Sequence, residues 1–161
     1  MIIRNGVIGN HPEQPAAFEK DGVPYPIAPQ RVEICEPTDA LIEHAVQGIY
    51  ADLPPEVRTI VALVARELFR NAQAYGQAPT YLLQSGGGAV TLTLGWATDE
   101  RDYVKYPLIT VRDQNPELPE VQESPRTGLG RVISLTHRCG ATNGRGGGGK
   151  HVWALVDPQR R

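Results

Sequence analysis

Glu67 and Asn71 are the residues whose types and spacing most invite chemistry. At about 100° per residue, Ile60, Val64, Glu67 and Asn71 point within about 60° of one another on a helix. A carboxylate and an amide therefore share the flank of an apolar stripe. Half-buried polar groups cost free energy unless they find partners. Two readings are open from the residues alone. The pair sits at the edge of a core and bonds to water or backbone. Alternatively, the amide oxygen helps hold a hard cation while the carboxylate orients or deprotonates a nucleophile.

Other chemistry-bearing residues are less organised. The histidines at 11, 44, 137 and 151 show no ligand spacing, which argues against a zinc site; His137 reads as a surface or core-edge residue. Gly144–Lys150 nearly fits the P-loop pattern and fails at His151. A P-loop also needs a strand before it and a helix after it, whereas this segment reads as a tight glycine-rich turn leading into a strand. Arg70 is a solvated helix residue, or it contacts a phosphate or an acidic partner. Cys35 and Cys139 form neither a metal pattern nor a disulfide framework, so both are expected reduced and half-buried.

The elements that must position these residues follow from punctuation and period. Prolines at 12, 15, 24, 26, 29 and 37 leave no helical period over residues 1–37. That segment is expected as an arm with one short strand at Arg31–Cys35, ahead of a domain over 38–161. Thr38 caps a helix over 38–50. Leu53-Pro54-Pro55-Glu56 opens a long amphipathic helix carrying Val57, Ile60, Val61, Val64, Leu68, Ala72 and Tyr75, and Gly76 closes it. Val90, Leu92 and Leu94 alternate with threonines, which predicts a strand. Asp99–Tyr106 reads as a loop, and Leu108–Val111, after Pro107, as a second strand. Pro116–Arg126 reads as a further loop. Gly128–Cys139 reads as a helix, with Leu129, Val132, Ile133 and Thr136 on one side and Gly140 as its C-cap. His151–Val156 is the last strand. The fold class expected is α/β (α+β): a two-layer sandwich with helices on one face of a mixed, mostly antiparallel sheet.

Composition bounds the class. The chain has 161 residues, 40% hydrophobic and 21% charged, with a formal net charge of -2. No general basic field draws nucleic acid or an anionic membrane. No apolar run approaches the roughly 20 residues that span a bilayer. A cytoplasmic protein is expected.

Four segments, in order, resemble the boxes of the histidine-kinase-like (GHKL, or Bergerat) ATPases. Glu67-Leu68-Phe69-Arg70-Asn71-Ala72 resembles the N box on its long helix. Val111-Arg112-Asp113 closes a strand with an aspartate, as in the G1 box. Thr127-Gly128-Leu129-Gly130 opens a helix, as in the G2 box. Gly149-Lys150-His151-Val152-Trp153-Ala154 is similar to the G-K-T-V-W-A ending of the last strand. The match spans about residues 38–156, and it looks most like stand-alone ATP-binding proteins and anti-sigma-factor serine kinases of actinobacteria.

The resemblance implies roles. Asn71 would coordinate Mg²⁺ bridging the phosphates of ATP, and Glu67 would be the general base. Asp113 would accept from the adenine amino group, and Asp113→Asn would weaken adenine binding without unfolding the chain. Gly128 and Gly130 would admit the phosphates at a helix N-terminus, where unpaired N–H groups and the dipole also favour an anion on physical grounds. Asn115, Leu129 and Lys150 would belong to the same nucleotide site. The chain departs from the pattern at Asn115, where the family has a small residue, and at His151, where it has threonine. The function implied is a serine/threonine kinase acting on a small partner, a sigma factor or an antagonist-like domain, with a homodimer possible in that family. The alternative is a non-catalytic, nucleotide-dependent binding module.

Overall fold

The computed structural model describes residues 2–3, 6–8, 32–35, 38–75, 90–99, 102–113, 128–143 and 150–159. Their elements are β1 (Ile2–Ile3), β2 (Gly6–Ile8), β3 (Val32–Cys35), α1 (Asp39–Ile49), α2 (Pro55–Tyr75), β4 (Thr91–Asp99), β5 (Val104–Asp113), α3 (Gly128–Leu135), β6 (Arg138–Asn143) and β7 (Lys150–Leu155).

Both long helices start where local chemistry dictates. Thr38 is extended, and its hydroxyl accepts from the Leu41 N–H at 3.2 Å, satisfying one orphan donor of the first turn. Ile42, Val46 and Tyr50 then recur every four residues and are fully buried. The turn into α2 is stapled by Arg58, whose Nη1 donates to the carbonyls of Ala51 at 3.0 Å and Leu53 at 2.8 Å. Pro55 opens α2 with Glu56 in its first turn, where a fixed φ and a negative charge both suit the helix. Val57, Val61, Val64, Ala65, Leu68 and Ala72 form its buried stripe. Each fully buried Val or Leu side chain contributes about 1.5–3 kcal/mol of transfer free energy.

The strands form one sheet in the order β1-β2-β6-β7-β5-β4-β3, antiparallel throughout except for the parallel β2–β6 pair. Leu92 and Leu94 of β4, Ile109 and Val111 of β5, Cys139 and Ala141 of β6, and Val152 and Ala154 of β7 share one core with the three helices. Alternation sends the intervening residues to the opposite face. There Ala97, Tyr106, Leu108, Trp153 and Leu155 make a second, smaller cluster. At the level of class this is the α+β arrangement expected, with helices on one face of an open sheet. Tyr50 locks α1 to the sheet. Its hydroxyl donates to the Gly95 carbonyl at 2.8 Å, with the Leu108 carbonyl at 3.3 Å, and its ring meets Trp96 edge-on.

Several boundaries differ from expectation. Asp99–Tyr106 is not one loop: β4 runs to Asp99, β5 starts at Val104, and only residues 100–103 connect them. Pro107 lies inside β5, paired with Trp96. It is tolerated because its carbonyl, which accepts from Val156, faces β7 where that strand gives out, so no interior ladder bond is lost. The third helix stops at Leu135 rather than Cys139. The His137 N–H donates to the Leu155 carbonyl at 2.8 Å, and Arg138 through Asn143 become β6. Gly140 is therefore no C-cap; it pairs with Trp153 in mid-strand. The segment 1–37 supplies β1 and β2 as well as β3. Cys139 is free and buried, and burial pushes its thiol up to about 11 against a partly offsetting Thr136 hydrogen bond. No helix among the described residues is long and apolar enough to cross a membrane.

Candidate functional site

Glu67 and Asn71 lie one turn apart in the C-terminal half of α2. Asn71 is half-buried. The Glu67 side chain retains 13% exposure and is held from two directions. Arg131 of α3 donates to its Oε1 at 3.2 Å, and Arg70 lies 3.7 Å from the same oxygen. Arg70 also reaches Asp39 of α1 at 3.7 Å. Arg131 falls three residues after Gly128, so the Glu67 carboxylate sits against the first turn of α3. Gly130, in that turn, is buried.

Asp113 and Lys150 occupy a second position. They are the last residue of β5 and the first of β7, directly opposed in register. The ammonium lies 3.0 Å from both carboxylate oxygens, and the two residues are 0% and 2% exposed. A buried charge is retained only when paired, so this pair holds the strand ends together. Asp113→Asn would remove the charge that this buried ammonium faces. This contact argues for a stability cost of Asp113→Asn, where the resemblance implied none.

The structure joins Glu67 to α3 and Asp113 to Lys150. Asn115 and Gly144–Gly149 lie outside the described residues, as does the side chain of Leu129.

A third group of titratable side chains escaped the sequence reading. At the β4–β5 hairpin, Asp99 is sealed from solvent, and the Arg138 Nη1 donates to its two oxygens at 3.0 and 3.1 Å. His137 Nε2 lies 3.3 Å from Asp99 Oδ2 and 3.6 Å from Asp102 Oδ2. The Tyr106 hydroxyl donates to Asp102, whose other oxygen accepts from the Val104 N–H at 3.0 Å. The Tyr106 ring stacks on His137 with centroids 4.3 Å apart. Burial first, then the hydrogen bond to Asp102 and the charges of Asp102, Asp99 and Asp157, hold the Tyr106 hydroxyl well above its ordinary value. The available signal was alternation. Leu92, Leu94 and Trp96 continue one period-2 set and Val104, Tyr106 and Leu108 another, which would have carried both strands to the hairpin.

No family model, curated protein or solved structure matches this chain.

Proposed function

We propose that this chain binds ATP·Mg²⁺ at the C-terminal half of α2, the end of β5 and the first turn of α3, and acts as a regulatory protein kinase of the anti-sigma-factor type with the Bergerat arrangement. One observation carries the reading. Each segment that resembles a GHKL box lies on the kind of element its role requires: Glu67 and Asn71 on a long helix, Asp113 at a strand end, Gly128–Gly130 opening a helix, and Lys150 opening the last strand. The donor set also suits the ligand. The Asn71 amide oxygen is a hard donor of the kind Mg²⁺ takes. Arg131 and Arg70 bring guanidinium groups that match phosphate oxygens. Asp113, at the end of β5, is the carboxylate that the resemblance assigns to the adenine amino group. Bound magnesium would neutralise phosphate charge, and the transfer would otherwise need only positioning and a base. Glu67 would accept the proton of the attacking hydroxyl once Arg131 turns to phosphate. The partner would be a sigma factor or a small antagonist-like domain.

A non-catalytic binding module is the second reading, and the Glu67 contacts favour it. A carboxylate clamped by Arg131 and Arg70 serves as a structural bridge between α2 and α3. A ligand that binds only the native state at a hundred times its dissociation constant adds about 2.7 kcal/mol of stability. Thermal melting with millimolar ATP·Mg²⁺ tests both readings, and the absence of any shift sinks both. Transfer of labelled γ-phosphate to a candidate partner then separates kinase from module.

A further inference from the structure

We infer that His137, Asp99 and Asp102 form a binding site for one transition-metal dication, on the sheet face opposite the helices. The three ligands come from separate places: the end of β4, the β4–β5 turn and the connection from α3 to β6. One ligand atom from each lies within 4.8 Å of the other two. A tetrahedral ion with bonds of about 2.0–2.2 Å separates its ligands by roughly 3.3–3.6 Å. His137 Nε2 stands 3.3 Å from Asp99 Oδ2 and 3.6 Å from Asp102 Oδ2, so two edges of the tetrahedron are already formed.

Charge and support point the same way. Among the described residues the Arg138 guanidinium pairs with Asp99, and Asp157 adds further negative charge near Tyr106. A dication would bring charge opposite in sign to the Asp99 and Asp102 carboxylates. Each ligand is also held from behind, as metal ligands are. Arg138 orients Asp99, Tyr106 and the Val104 N–H orient Asp102, and the Tyr106 ring fixes the plane of His137. An imidazole with two carboxylates selects zinc or a neighbouring transition metal over calcium or magnesium. The His137 and Asp102 side chains remain 32% and 36% exposed, leaving an entry path and a fourth position for water. The site shares no residue with the nucleotide reading and does not depend on it.

The test uses the full chain after chelator treatment, with Zn²⁺ as the probe in calorimetry and Co²⁺ as a reporter of geometry by its visible absorption. Wild type should take one Zn²⁺ per chain, melt at a higher temperature with it, and show the intense bands of tetrahedral Co²⁺. His137→Gln and Asp102→Asn alter partly exposed side chains, so each should melt near the zinc-free wild type. Each should lose at least tenfold in Zn²⁺ affinity. Failure of wild type to bind Zn²⁺ overturns the site, leaving His137 as a hydrogen-bonded bridge between the carboxylates. Unchanged affinity in both variants also overturns it, since the ion then sits elsewhere.

Discussion

Lys150 and Asp113 face each other at the final register position of β5 and β7, with the ammonium 3.0 Å from both carboxylate oxygens and both residues closed to water. Removing one partner of a buried pair typically costs about 3–5 kcal/mol, whereas replacing both with apolar groups of similar size is often neutral. Asp113→Asn should therefore destabilise by about that amount, and Asp113→Leu with Lys150→Met should recover most of the loss. Denaturant unfolding of the single and double variants measures it. A cost below about 1 kcal/mol for Asp113→Asn would show that the pair is not sealed in solution.

Gly48 carries the opposite expectation. It lies in the last turns of α1, exposed, and a Cβ built there meets nothing within 4 Å. Glycine inside a helix costs roughly 0.5–1 kcal/mol relative to alanine, through backbone entropy. Gly48→Ala should raise stability by about that much with no other change. A neutral or lower unfolding free energy would mean that α1 frays before Gly48.

Tyr50 tests how α1 is fastened to the sheet. Its hydroxyl is the buried donor to Gly95, and desolvation holds that hydroxyl far above its ordinary pKa. Phenylalanine keeps the ring and its edge-on contact with Trp96 while removing the donor. Leaving a buried carbonyl without its partner costs about 1–3 kcal/mol. Tyr50→Phe should destabilise within that range, read by chemical denaturation. A loss under about 0.5 kcal/mol would mean that water replaces the hydroxyl.

How far the fold was legible depended on how local its causes are. Thr38, Pro55 and the stripe from Val57 to Ala72 act within one or two turns, so α1 and α2 were readable to within about a residue at each end. The final strand was readable because Val152 and Ala154 alternate with Trp153 and Leu155. β6 was not. Among its described side chains the core-facing ones are Cys139 and Ala141, both small, and the apolar set of α3 runs without a break up to Thr136. What ends the helix is the His137 N–H bonding to Leu155, eighteen residues ahead in the chain, and no local period records that. The hairpin cluster was hidden for the same reason. Asp99 meets Arg138 only because β6 and β4 flank the same two strands, β5 and β7. Glu67 and Asn71 were visible on the helix, yet the clamp from Arg131 depends on how α3 docks.

Glu67 and Arg131 together separate the functional readings. Their contact is partly exposed, at 13% and 47% of the two side chains, so losing it should cost no more than about 1 kcal/mol of stability. Both variants, Glu67→Gln and Arg131→Ala, should therefore fold. If the site binds nucleotide, Arg131→Ala removes a cation from the first turn of α3 and should weaken ATP·Mg²⁺ binding. Glu67→Gln should leave affinity within a few-fold, because a base acts mainly when the acceptor hydroxyl attacks. For a kinase, the same substitution should lower phosphotransfer by about 10²–10⁴-fold, the usual contribution of a general base. Calorimetry and labelled transfer on one preparation give both quantities. Should Glu67→Gln abolish ATP binding outright, Glu67 is a ligand or a structural bridge. Should wild type bind ATP but transfer nothing, while Glu67→Gln alters partner binding, the chain is a nucleotide-dependent module.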